Sequence, residues 1–231
     1  MTAIIPLQKE LHGYIKINDR NMDHVQDQHI IPILLHEFIR VSSEYPIVFV
    51  KNSDTGQFQS VCMLGVKSSE NKFVHNQLWV GGYVPLSVRH APFYLMPDPR
   101  NPEQLLIGIN EASPRINLEN GVSIFTEVGE ESEYFTARKN ALIDHYEKEQ
   151  VSQELTQFLA AMNLLIRQEI NLSYNSENFN INGVYLIDEE RLNSLSDDEF
   201  LTVRRKGLLP AIYAQMISIQ HLERVANFRA F

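Results

Sequence analysis

One cysteine and one tryptophan stand among 231 residues, and basic side chains are outnumbered, 20 Lys plus Arg against 29 Asp plus Glu. Each shortage removes a class of explanation. A lone Cys62 leaves no internal disulfide and suits a reducing compartment. The net charge of −9 repels phosphate backbones and anionic lipid, and the scattered Lys and Arg form no basic stripe, so nucleic acid is not an expected partner. The tightest basic group, Arg204-Arg205-Lys206, falls where a helix is expected to end, and there it complements the helix dipole. No stretch approaches the roughly 20 apolar residues that a membrane span needs. The first thirteen residues lack a basic segment followed by a hydrophobic run, so cytoplasmic residence is the expectation.

Catalytic signatures are scarce as well. There is no His-Glu-x-x-His, Cys-x-x-Cys, Gly-x-Ser-x-Gly, dinucleotide-binding glycine turn or phosphate loop. His36-Glu37 is followed by Arg40 where a second histidine would stand, and His24 and His29 are five apart, a spacing that suits no common ligand pair on a helix. The eight histidines therefore read as surface or capping residues, with no metal and no cofactor expected. Cys62 alternates with Ser60 and Leu64 in an apolar strand and reads as a core thiol. The acid clusters at Glu130-Glu131-Glu133, Asp188-Glu189-Glu190 and Asp197-Asp198-Glu199 each precede an expected helix, where the dipole favours them, and no catalytic residue is assigned.

What is present is ample material for a core, at 44% hydrophobic residues, and an order of elements. The first 44 residues read as an arm carrying four of the histidines. From Tyr45 the pattern turns to strands: a hairpin of Ile47–Lys51 and Phe58–Val66 around Asn52–Gly56, then Lys72–His75 and Leu78–Tyr83, then Phe93–Met96 and Gln104–Asn110, a sheet of five or six strands. Glu111–Gly129 is rich in turn formers and reads as an excursion. With no Gly or Pro between Glu130 and Leu172, one long helix or two with a bend follow. Ile170–Tyr174 and Phe179–Ile187 read as a hairpin with its tip at Asn175–Asn178. Ser196 with Glu199 is a capping box opening a helix that Gly207 ends, and Pro210 opens a last helix, apolar around most of its girth and so expected to be central. The expectation is one α+β domain over 1–231: arm 1–44, an antiparallel β-rich lobe 45–128, and a helical lobe 129–231 with a hairpin.

The densest local signal is Trp79 to Phe93, where aromatics, paired glycines, prolines and Arg89 share fifteen positions. Two readings apply. In one, Trp79, Tyr83 and Phe93 plug the core and Arg89 neutralises a nearby carboxylate. In the other, Trp79 and Tyr83 form an apolar wall, bulged or closely approached at Gly81 and Gly82, over which an extended peptide or protein partner lies while Arg89 forks onto a carboxylate. The candidate binding residues are Trp79, Gly81, Gly82, Tyr83, Arg89 and Phe93.

The order of short strings resembles the bacterial SapC family: Tyr45-Pro46-Ile47-Val48-Phe49, Leu64-Gly65, Trp79-Val80-Gly81-Gly82-Tyr83-Val84-Pro85 with Arg89 and Pro92-Phe93, Gly183 to Glu189, and Gly207 to Ala214. These span about residues 45 to 225. At position 90, where relatives commonly carry a basic or bulky residue, this chain has His90 and then Ala91. The resemblance implies no catalytic residues. It implies an accessory protein, linked by the family's name to the surface layer or export, whose relatives keep company with flavoproteins resembling tryptophan halogenases and with cupin-like oxygenases. Three functions stand beside one another on this basis: a non-catalytic accessory protein, possible as a homo-oligomer, that binds a peptide or protein; a participant in oxidative modification of peptides or amino-acid side chains; and a surface-layer or export component.

Overall fold

The computed structural model describes residues 4–174 and 177–228, so two residues of the expected Asn175–Asn178 tip lie outside the described residues. In chain order the elements begin with β1 (Ile4–Pro6), α1 (Lys9–His12), β2 (Lys16–Ile17), β3 (Ile30–Pro32), α2 (Phe38–Val41), β4 (Ile47–Lys51) and β5 (Phe58–Met63). They continue with β6 (Val74–His75), β7 (Leu78–Trp79), α3 (Leu86–His90), β8 (Phe93–Pro97), β9 (Leu105–Asn110), β10 (Ile116–Asn117) and β11 (Val122–Ser123). The long α4 (Glu133–Ala161) leads to β12 (Leu165–Tyr174) and β13 (Glu177–Ile187), and α5 (Glu189–Asn193), α6 (Asp197–Arg205), α7 (Leu209–Ser218) and α8 (His221–Asn227) follow. Every strand pairing described is antiparallel, and the architecture is α+β.

The fold divides into two compact units. One comprises the described residues up to Gln26, Val74–Trp79 and Leu86–Lys148; the other comprises Asp27–Phe73, Val80–Pro85 and the described residues from Glu149 on. These boundaries do not coincide with positions 44 and 128, where composition changes, and the last one, between Lys148 and Glu149, falls within α4.

In the first unit, β9 lies between β1 and β8, and β2 lies between β10 and β11. Gly108, opposite Pro6 and Tyr94, is required by close approach: a Cβ there would lie 2.6 Å from Ile4 and 2.8 Å from the Met96 sulfur. The core is Ile15, Ile17, Phe93, Ile109, Ile124, Phe135 and Leu142. Among the described residues β6 and β7 pair only with each other, through a two-residue turn in which Asn76 and Gln77 both have positive φ, 48° and 68°, the conformation that matches strand twist.

In the second unit the sheet order is β12-β13-β4-β5-β3, with Val48, Val61, Met63, Ile181, Val184 and Leu222 forming one core cluster. β13 and β4 pair at Val184–Val50 and Tyr185–Phe49. Two positions further along that register, at Ile187 and Ile47, α7 closes the seam. Gln215 accepts from Ile187 N–H at 3.1 Å and donates to Ile47 C=O at 3.0 Å, while Ser218 Oγ accepts from Ile47 N–H at 2.9 Å. Cys62 is fully buried in β5, and burial pushes its thiol up, as expected of a core cysteine.

Several expectations are corrected. The N-terminal segment is no arm, because it supplies β1, β2 and β3 to three different sheets. Leu78–Tyr83 does not continue a single meander: only Leu78–Trp79 is strand, and the expected five- or six-stranded sheet is distributed over separate sheets. Pro85 is followed by a helical turn, α3, and the 111–129 excursion carries β10 and β11, paired to β2. Helix does not run past Ala161. Asn163 takes a left-handed φ of 55°, Leu164 N–H bonds back to Leu159 C=O, and the strand starts at Leu165. The expected final helix is two, α7 and α8, and α7 is buried on one face only, with Tyr213 and Ile217 exposed. The capping box at Ser196 and Glu199 forms as expected.

Candidate functional site

The first unit contains a short strap, Asn21–His24, on which the β6–β7 hairpin and α3 are both fixed. Asn21 shapes it, its side chain accepting from Asp23 N–H at 2.9 Å. Met22 N–H donates to Gln77 C=O at 2.7 Å, tying down the hairpin turn next to Trp79. His24 Nε2 meets Val88 C=O of α3 at 3.2 Å.

Arg115 completes the arrangement from inside. Its residue is 1% exposed, and its guanidinium donates to backbone carbonyls: Nε to Asn21 at 2.8 Å, one terminal nitrogen to Arg89 at 3.1 Å and Ala91 at 2.8 Å. The other terminal nitrogen meets Met22 Sδ at 2.9 Å. Among the described residues no carboxylate lies within ion-pair distance of it. A buried cation without a salt-bridge partner is costly, and the planar fork offsets that cost by satisfying the carbonyls at the end of α3, where positive charge also suits the backbone dipoles. Burial lowers the pKa of this guanidinium.

A second shell of polar groups surrounds the same turn. Arg138 donates to Arg89 C=O at 3.4 Å and is ion-paired with Asp19, which accepts from Tyr134 O–H at 2.9 Å. Burial, against the opposing pull of Arg138, pushes the Tyr134 phenol up to about 12. His90, at 7% exposure, stacks edge-on with His145, ring centroids 4.6 Å apart, and neither of its ring nitrogens has a hydrogen-bond partner among the described residues. Burial, then His145, Arg138 and Arg89, hold His90 at about 4, well below its ordinary value. His24 is likewise held at about 4, by burial and then Arg115. His90 and His12, the latter 2% exposed and bonded to Glu111 at 3.2 Å, are packed inside the unit and His24 is half-buried, which corrects the expectation of surface histidines at these positions. Among the described residues no three His, Cys, Asp or Glu side chains group as metal ligands.

The six residues singled out from the sequence are distributed as follows. In the first unit Arg89 is exposed on α3, Trp79 is half-buried in β7, and Phe93 lies in the core at 1% exposure, its ring 5.3 Å from Phe135. In the second unit Gly81 and Tyr83 are half-buried and Gly82 is exposed. The close approach expected at the glycines is by Glu44, whose Oε2 accepts from Gly82 N–H at 2.7 Å and Tyr83 N–H at 3.1 Å. Tyr83 O–H donates to buried Glu37 at 2.8 Å, and Tyr45 O–H donates to Tyr83 C=O at 2.6 Å. Sequence reasoning missed Arg115, His24, Glu37 and Glu44. Arg115 follows Ser-Pro in a turn-rich segment, and nothing in its neighbours' periodicity marks it as internal.

An α+β protein built from small antiparallel sheets, with no helix among the described residues long and apolar enough to cross a membrane, is the class these features define. Within that class the SapC family model matches residues 7–225, and the chain belongs to that family. The match takes in β2, β3 and the 111–129 segment, none of which carries any of the short strings. No curated protein and no solved structure matches the chain.

Proposed function

We propose that this SapC-family chain is a non-catalytic accessory protein that captures a peptide or protein partner on the first unit, at Trp79 and Arg89. The observation that carries the reading is the Asn21–His24 strap, which fixes the Trp79 hairpin through Met22 N–H and the Arg89 helix through His24. Arg115 braces the same helix from beneath through Arg89 C=O and Ala91 C=O. A cation carried on a braced turn loses little freedom when it engages a carboxylate, and an indole beside a rigid hairpin offers apolar area at low entropic cost. The partner surface that suits this pair presents a carboxylate next to an apolar side chain.

Phe93 supports the strand after α3 from within the core. Gly82 and Tyr83 are held in place within the second unit by Glu44, Glu37 and Tyr45, and replacing them tests that unit on its own terms. The test of the reading is affinity purification from the native cell with the wild-type chain, Arg89→Ala and Trp79→Ala in parallel. A species retained by the wild type and lost from both variants, at unchanged melting temperature, supports it. Equal retention by all three overturns it.

A further inference from the structure

The five-stranded sheet of the second unit treats its two edges differently. β3, at one edge, is three residues long and ends in Pro32, which has no N–H to offer, so that edge is short and chemically blunted. β12, at the other edge, is ten residues long, contains no proline, and among the described residues pairs with β13 alone. The irregularity in the β12–β13 ladder belongs to β13. From Gln168 to Ile170 the chain takes two steps while its partner takes three, from Val184 to Ile181, and Gly183 absorbs the extra residue with a φ of 76°. The outer strand itself stays regular.

A regular edge is a template for another strand, and the side chains of this one say which strand it fits. The run Ile166-Arg167-Gln168-Glu169-Ile170 is self-complementary when reversed. In an antiparallel pairing with a dyad through Gln168, Arg167 stands directly opposite Glu169 of the second copy, twice, and Ile166 stands opposite Ile170 on the other face. Arg167, Gln168 and Glu169 are exposed, and the side chains of Arg167 and Glu169 make no ion pair or hydrogen bond among the described residues. Ile166 is 42% exposed on the face that carries Ile170 and Leu172, both packed against the core cluster with Leu222.

We propose that a second copy of this chain docks on the β12 edge, two copies joining their sheets antiparallel about Gln168. Main-chain hydrogen bonds supply the association, and the crossed Arg167–Glu169 pairs set its register and exclude like-charged edges. This inference is independent of the Trp79 and Arg89 surface, which lies in the other unit.

The test is sedimentation equilibrium of the full chain across the micromolar range, with Arg167→Glu, with Glu169→Arg, with both replacements together, and with the two single variants mixed. Each single reversal sets like charges opposite one another at both crossings and weakens dimerisation by roughly ten- to a hundredfold. The double replacement restores the dimer, and so does the mixture, because a strand carrying two glutamates then faces one carrying two arginines. That rescue also shows that the single variants fold. A wild-type chain that stays monomeric throughout overturns the proposal, as does a dimer indifferent to either reversal or a mixture that fails to associate.

Discussion

The two units bury polar groups in opposite ways. In the second, the buried polar side chains repair the sheet: Gln215 and Ser218 bond the backbone of Ile47 and Ile187, Ser60 Oγ donates to Ile33 C=O at 2.7 Å, and Glu37 accepts from both Leu34 N–H and Tyr83 O–H. In the first, a buried cation holds a helix end without a carboxylate, and next to it stands a histidine whose ring nitrogens are unsatisfied among the described residues. The second arrangement makes strands continuous. The first holds a short helical turn in place against its own weak propensity, since a five-residue helix cannot stabilise itself. The difference teaches where each unit is brittle: one at its seam, the other at its charges.

The largest expected effect comes from removing the charge that braces α3. Arg115→Met keeps an unbranched apolar stem but removes the donors to the Asn21, Arg89 and Ala91 carbonyls, and the account expects a loss of about 3 kcal/mol or more in denaturant unfolding, accompanied by faster hydrogen exchange in the first unit. Gln215→Ala probes the other unit. It strands one N–H and one C=O at the β4–β13 seam and opens a small cavity, for an expected loss of about 2 kcal/mol. If that variant loosens the first unit as much as the second, the contrast between them fails.

Acid sharpens the comparison next. His24 and His90 take up a proton near 6.5 when unfolded and only near 4 when folded. Between those values the unfolded chain binds more protons, so stability declines as pH falls from about 6.5 to about 4 and levels off below. Melting curves of the wild type and of His90→Leu over that range check it, and the variant declines less steeply. Smaller still is Ser196→Ala, which removes the cap of α6 in the second unit and costs about 1 kcal/mol.

Much of the second unit was legible because its signals are local. The β4–β5 hairpin follows from alternation around Asn52–Gly56, and the α6 cap follows from Ser196 and Glu199, two residues within one four-residue span that need no distant partner to form it. The first unit was harder. Its β6–β7 turn uses Asn76-Gln77, without the glycine that usually announces positive φ, and β2 finds its partners about a hundred residues further along the chain. Where helix α4 stops depends on one asparagine rather than on any change in hydrophobic period. Of the candidate site, the residues on the surface were visible as composition, whereas Arg115, His24 and Glu37 act through contacts that sequence spacing does not encode.

The central claim is that Arg115, and not the Arg89 side chain, holds the α3 turn in place from inside. Amide hydrogen exchange across residues 86–93 in the wild type, Arg115→Met and Arg89→Ala tests it most directly. The account predicts at least tenfold faster exchange there in Arg115→Met and wild-type rates in Arg89→Ala. Equal acceleration in both variants would contradict it, because Arg89 would then be part of the brace.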